Sequence, residues 1–189
     1  MPWFTYPAIE ALKTWNLSQK TVLEYGSGYS TLFWANRVKS VVSIEHNPDW
    51  YHKVSNMIPE NVDIRLRALE TYPEIDGQFD IIVIDGYAQA RMRYRCANAS
   101  LQYLKPNGMV ILDNSDWLPA TCLFLRQAGL IQMDFSGFVP GNSHTQTTSI
   151  FLTRKFDFDH DQRVTPVGGT GYNWEPVLEK ELLSQSEST

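Results

Sequence analysis

The residues best placed to do chemistry fall at four points of the chain. The first is the turn Glu24-Tyr25-Gly26-Ser27-Gly28, which runs on into Tyr29-Ser30-Thr31. Glycines let a backbone turn sharply and approach a ligand closely, and a helix that starts after such a turn presents free N–H groups. A lone Gly-x-Gly also fits a plain tight bend between strand and helix. The second point is Glu45, nineteen positions after Gly26, with His46 and Asn47 behind it. An acid at that separation accepts hydrogen bonds from both hydroxyls of a ribose. The third is Asp85, and the fourth is the run Asp113-Asn114-Ser115-Asp116. Carboxylates there can orient a ligand or take a proton, which makes Asp113 a candidate catalytic base. His144, in the polar stretch Pro140-Gly-Asn-Ser-His144, is a second one, set against the plain reading of a solvated loop histidine.

Glu24 narrows the ligand of the glycine turn. Its carboxylate, two residues before Gly26, would repel a pyrophosphate and suits a cationic amino-acid head group. Thr31 stands where a dinucleotide fingerprint carries its third glycine. Together these features point to a cofactor with adenosine and an ammonium group but no phosphate. S-adenosylmethionine fits that description better than NAD or FAD.

Hydrophobic patterning supplies the elements that must hold these residues. Apolar runs predict strands at 21–25, 40–45, 62–66, 79–84, 109–112, 131–138 and 148–153. Helices are expected at 7–15, 30–38, 48–57, 92–104 and 118–128, with Ser30 capping the second, Pro48 opening the third and Gly129 stopping the last. Lys105-Pro-Asn-Gly108 carries a turn signature. Strands alternating with helices imply parallel βαβ units, and the last two strands, with no helix between them, imply an antiparallel hairpin. The expected fold class is therefore α/β: a Rossmann-like, doubly wound, mostly parallel seven-stranded sheet with a C-terminal antiparallel hairpin. A single domain is expected over residues 1–154, its N-terminal helix (1–18) packing on or covering the pocket. Residues 155–189 read as an extension, partly helical around 176–183 and frayed at its end.

Composition bounds the partners. Of 189 residues, 43% are hydrophobic and 20% charged, the balance of an ordinary globular domain, and the net charge of −5 gives no footprint for a nucleic-acid backbone. Cys96 and Cys122 read as two free buried thiols rather than a disulfide. The N-terminus lacks the pattern of a signal peptide, and the longest aliphatic runs are too short to cross a membrane. A cytoplasmic protein with a small-molecule substrate is expected, with no nucleic-acid or membrane partner; oligomeric state is not set by any feature of the sequence.

Four segments in order, Leu23-Glu-Tyr-Gly-Ser-Gly-Tyr-Ser-Thr31, Ser43-Ile-Glu-His-Asn-Pro48, Phe79-Asp-Ile-Ile-Val-Ile-Asp-Gly86 and Leu104-Lys-Pro-Asn-Gly-Met-Val-Ile-Leu-Asp-Asn114, resemble the successive motifs of class I S-adenosylmethionine-dependent methyltransferases. The resemblance covers roughly residues 20–154. It implies that Glu24, Gly26, Ser27 and Gly28 line the methionine and ribose side of the cofactor, with Tyr25, Ser30 and Thr31 completing that loop. Glu45 would take the ribose hydroxyls, His46 and Asn47 would lie near the adenine, and Asp85 would face the methionine end and the substrate.

Asp85, Asp113 and Asn114 also look like the metal site of catechol-type O-methyltransferases, where Mg²⁺ holds a deprotonated hydroxyl. The plainer alternative, and the favoured one, has Asp113-Asn114 capping the next helix while Asp85 orients the cofactor. Arg91, Arg93 and Arg95 follow the fourth strand, to grip an anionic acceptor or simply to be solvated, and Arg91 and Arg95 share a helix face. The aromatic N-terminus (Trp3, Phe4, Tyr6) either covers the pocket or packs on the sheet. Two competing readings stay open: a cofactor-binding protein of the same fold without turnover, and an NAD-dependent oxidoreductase.

Overall fold

Strand β4 (Phe79–Ile84) is buried along its whole length, as a strand covered on both faces must be. Around it a computed structural model, which describes residues 1–164, places α1 (Tyr6–Lys13), β1 (Thr21–Tyr25), α2 (Tyr29–Ala35), β2 (Ser40–Glu45), α3 (Pro48–Ser55) and β3 (Val62–Leu66) before it. After it come α4 (Ala90–Ser100), β5 (Leu104–Leu112), α5 (Pro119–Gln127), β6 (Ile131–Phe138) and β7 (Thr145–Leu152). The sheet order is β3-β2-β1-β4-β5-β7-β6. The first five strands run parallel, and β7 is antiparallel to both β5 and β6. This is the Rossmann-like, doubly wound sheet with a terminal hairpin.

Alternation along the strands builds two cores. Leu23, Ile82, Ile84, Val110 and Leu112 pack with Met92, Cys96 and Ala97 of α4 and Cys122 and Leu125 of α5. Their neighbours Val22, Ile81, Val83, Met109 and Ile111 pack with Ile9 and Leu12 of α1 and Phe33 and Trp34 of α2. The helices that follow β1 and β4 thus lie on opposite faces. The loops leaving these two adjacent strands part from each other, and a crevice opens at the carboxyl edge of the sheet.

Several boundaries differ from expectation for identifiable reasons. Helix α1 starts at Tyr6 because Thr5 caps it, its hydroxyl accepting from Ala8 N at 3.4 Å. Helix α2 starts at Tyr29 with Gly28 at its cap, so Ser30 lies inside the first turn and does not cap it. Residues 105–108 do not form a simple turn before β5. They extend that strand as a bulge, the register passing from Phe79↔Leu104 directly to Ile81↔Met109. Asp80, opposite the bulge, accepts from Lys105 Nζ, Thr21 N and Thr21 Oγ1, all at 2.8 Å. Strand β7 begins at Thr145, three residues early, because Phe138↔Thr145 continues the ladder. Helix α4 stops at Ser100 and a 3-10 turn, Leu101–Tyr103, takes its last residues.

The N-terminal segment divides. Phe4 is buried against Trp34, while Trp3 turns toward the crevice. Beyond β7 the chain returns to the end of α1, where Asn16 N donates to Asp159 O and Asp161 N to Thr14 O. The helix expected at 176–183 lies outside the described residues. Cys96 and Cys122 are free and buried. Among the described residues no helix is long and apolar enough to cross a membrane.

Candidate functional site

A cleft of about 580 Å³ occupies that crevice, reached by the loops after β1, β2, β4 and β5 and by the β6–β7 hairpin. Its first wall is the glycine turn, whose two glycines do different jobs. Gly26 has φ +97°, and a Cβ there would overlap the Cα of Gly86. The two backbones touch, stitched by Asp85 N and Gly86 N, which both donate to Tyr25 O, while Gly26 N donates to Ile44 O of β2 at 2.8 Å. Gly26 is a structural necessity. At Gly28 the backbone is extended, and a Cβ would meet only Trp50 Cζ2 at an ordinary 3.8 Å. Nothing within the protein demands glycine there.

Beneath the turn, Gly28 N donates to Thr31 Oγ1 at 2.8 Å, and that hydroxyl donates to Glu24 Oε2, which also accepts from Ser43 Oγ at 2.9 Å. Thr31 thus uses the third-glycine position to clamp the turn onto β1. Glu24 Oε1 has no partner among the described residues, and burial pushes the carboxyl up to about 7 against the pull of its hydroxyl donors. Glu24, Tyr25 and Thr31 do not line the cleft. Tyr25 points into the core, its hydroxyl donating to Pro73 O at 3.0 Å. Of the loop residues expected at the cofactor, Gly26, Ser27, Gly28 and Ser30 do line it.

Glu45 ends β2 in a ring of donors. Its Oε1 accepts from His46 N and Asn47 N, both at 2.8 Å, and its Oε2 from Ser27 N at 3.2 Å and Ser27 Oγ at 2.9 Å. Trp50 Nε1 donates to Ser27 O at 2.7 Å and fixes the turn from the other side. Asn47 lines the cleft and also caps α3, accepting from Trp50 N at 3.0 Å. His46 meets Tyr87 and Tyr72 edge to face, with ring centroids 4.8 and 5.8 Å away.

Asp85, Asp113 and Asn114 do come together, but around an arginine. Arg93, only 6% exposed, rises from α4 between the loops after β4 and β5. Its Nε donates to Gly86 O at 3.0 Å, its Nη1 to Asp113 O at 2.6 Å and Asn114 Oδ1 at 3.1 Å, and its Nη2 to Asp85 O and Asp85 Oδ1. The capping reading of Asp113-Asn114 fails: Asn114 sits at φ 52° with no side-chain cap bond, and Leu118, not a polar residue, holds the cap position of α5. The Asp113 carboxylate turns instead toward β7, accepting from Thr148 Oγ1 at 2.6 Å and Gln146 Nε2 at 3.2 Å. Burial raises its proton affinity and so does the nearby Asp85, whose own carboxyl is raised by burial against the opposing pull of Arg93. Thr148 Oγ1 in turn accepts from Thr5 N at 3.1 Å, tying the N-terminal segment to this acid.

The far end of the cleft is walled by Trp3, Trp117, Asn142, His144 and Gln146. Both tryptophans are well exposed, Trp3 at 60% and Trp117 at 59%. Arg91 and Arg95 are not in the cleft; Arg95 reaches the 67–75 loop, donating to Glu70 O at 2.8 Å. Of the three arginines expected to grip an acceptor or be solvated, only Arg93 borders the cleft, and it is buried. The spacing Arg93-Cys96-Ala97-Ser100, one face of a helix at i, i+3, i+4 and i+7, was the signal that could have found it. Gln146, Thr148 and Trp50 carried no such signal.

Residues 23–115 match a family model described as a methyltransferase domain. No curated protein sequence matches the chain. Among solved structures, the chain is similar to NodS, an N-methyltransferase from Bradyrhizobium japonicum in complex with S-adenosyl-L-homocysteine, at 13% identity and a TM-score of 0.58, covering 72% of this chain and 79% of that one. Precorrin-6y C5,15-methyltransferase from Geobacter metallireducens aligns at 17% identity and a TM-score of 0.61 over 78% and 87%. An rRNA methylase from Streptococcus thermophilus aligns at 15% and 0.56 over 77% and 92%. At these identities the structural likeness is one of fold.

Proposed function

We propose that this chain is a class I S-adenosylmethionine-dependent methyltransferase, its methyltransferase-domain match spanning residues 23–115, and that its acceptor is a small molecule held between Trp3, Trp117 and His144. The observation that carries the placement of the cofactor is the pairing of Gly28 and Glu45 at one end of the cleft. Gly28 leaves backbone bare where no neighbour requires it, and Glu45 presents a carboxylate preset by three backbone N–H groups. A nucleoside lying against Gly28 with its ribose on Glu45 accounts for both. The Ser27 hydroxyl, the one freely rotating donor on Glu45, is the group a ribose hydroxyl would displace.

Bound there, S-adenosylmethionine supplies an electrophilic methyl group open to in-line displacement. The chain contributes alignment and, for a hydroxyl acceptor, a proton acceptor. Asp113 suits that task, because it borders the cleft and its buried surroundings raise its affinity for a proton. His144, on the hairpin turn, borders the same space. Asp85 lies between the two ends. Differential scanning fluorimetry tests the assignment: S-adenosylhomocysteine should raise the melting temperature and NAD should not. Stabilisation by NAD alone would overturn it.

A further inference from the structure

We propose that the Arg93 guanidinium takes the place a divalent cation would hold in this site, so that transfer proceeds without metal and the acceptor proton goes to Asp113. The oxygens a metal would need are already bound. A magnesium ion demands near-octahedral oxygen ligation at about 2.1 Å. Here Asn114 Oδ1 and Asp85 Oδ1 each accept from Arg93, at 3.1 and 3.4 Å, and the Asp113 carboxylate faces Thr148 and Gln146. Among the described residues no three His, Cys, Asp or Glu side chains converge as a metal site.

Arg93 cannot readily vacate this position. It has five N–H groups and five acceptors: the carbonyls of Asp85, Gly86 and Asp113 and the side chains of Asp85 and Asn114. Swinging out would break all five and strip the buried Asp113 carbonyl of this donor. Like a bridging metal, it ties the loop after β4 to the loop after β5. Unlike a metal, it has no valence left for an acceptor oxygen, so Arg93 is a positioning residue.

For a hydroxyl acceptor, the O–H bond breaks and its proton passes to the Asp113 carboxylate. The oxygen forms the new O–CH₃ bond while the S–CH₃ bond breaks, and the sulfonium leaves as a neutral thioether. This step rests on the methyltransferase reading above; the occupation of the metal position by Arg93 does not.

Manganese titration followed by electron paramagnetic resonance tests the proposal on the intact protein. Wild type should bind no Mn²⁺ at this site up to about 1 mM, with or without S-adenosylhomocysteine. Arg93→Ala should gain a site at least about tenfold tighter than that limit, and Arg93→Lys, which keeps the charge, should not. Mn²⁺ bound by wild type and lost in Asn114→Ala would overturn the proposal, as would an Arg93→Ala protein that folds and gains nothing. The wild-type titration decides the matter even if Arg93→Ala fails to fold. Scanning fluorimetry with S-adenosylhomocysteine on the same samples reads the cofactor assignment separately: a protein blind to both ligands would sink that assignment and leave the role of Arg93 standing.

Discussion

Glu24 bonds one oxygen to Thr31 and Ser43 and leaves the other without a partner among the described residues. Its carboxyl is raised from an ordinary 4.5 to about 7. Between those values the unfolded chain has released the proton while the folded protein still holds it. Stability therefore falls as pH rises through that window, by about 3 kcal/mol in all, and levels off above it. Glu24→Gln, which cannot ionise, should flatten this slope in chemical denaturation measured from pH 4.5 to 7.5; an unchanged slope would place the titration elsewhere. The glycines give a second contrast. Gly86→Ala should destabilise the fold by more than about 2 kcal/mol, because its Cβ would drive into Tyr72 and Gly26. Gly28→Ala should leave the denaturation midpoint nearly unchanged and weaken S-adenosylhomocysteine by at least about tenfold, roughly 1.4 kcal/mol. At the other end of the cleft, Asp113→Asn should abolish turnover on a hydroxyl acceptor while retaining S-adenosylhomocysteine affinity. Retained turnover would remove Asp113 from the base role.

Four strand ends and one hairpin set these residues against each other, and the hairpin is the least obvious contributor. Through Thr148 and Gln146, β7 reaches back to hold Asp113, and Thr148 also receives the N–H of Thr5. Thr148→Val should cost about 1–3 kcal/mol in denaturant unfolding, since it strips two buried groups of their partner at once. A neutral result would mean that water takes over both bonds. Strands whose apolar pattern is local were legible in the sequence: 62–66, 79–84 and 131–138 come out at their expected bounds. Elements set by distant partners were not. Lys105-Pro-Asn-Gly108 has a turn signature, yet Asp80 and Thr21, far away in sequence, fasten it into a bulge. Asp113-Asn114 reads locally as a helix cap or a metal pair, yet no side-chain cap bond forms and Arg93, far away in sequence, donates to both residues. The glycine turn and Glu45 were legible because their spacing follows directly from one βαβ unit.

At the scale of the molecule, function follows from where the sheet reverses its winding. Helices α2 and α4 leave β1 and β4 toward opposite faces, and the cleft lies where they part. The end of this cleft that we assign to the nucleoside is built by the parallel half of the sheet. The end assigned to the acceptor is built by the antiparallel hairpin, the N-terminal Trp3 and the loop carrying Trp117. That division predicts independent tuning: Trp117→Ala should raise the acceptor KM without changing S-adenosylhomocysteine affinity, as steady-state kinetics beside a binding titration would show. The central claim, that the cleft binds S-adenosylmethionine through Glu45, is tested most directly by isothermal titration of S-adenosylhomocysteine into wild type and Glu45→Ala. Saturable one-to-one binding to wild type, weakened at least about tenfold in the variant, or roughly 1.4 kcal/mol, is the expected result. Equal affinity for both proteins, or no binding to either, would contradict it.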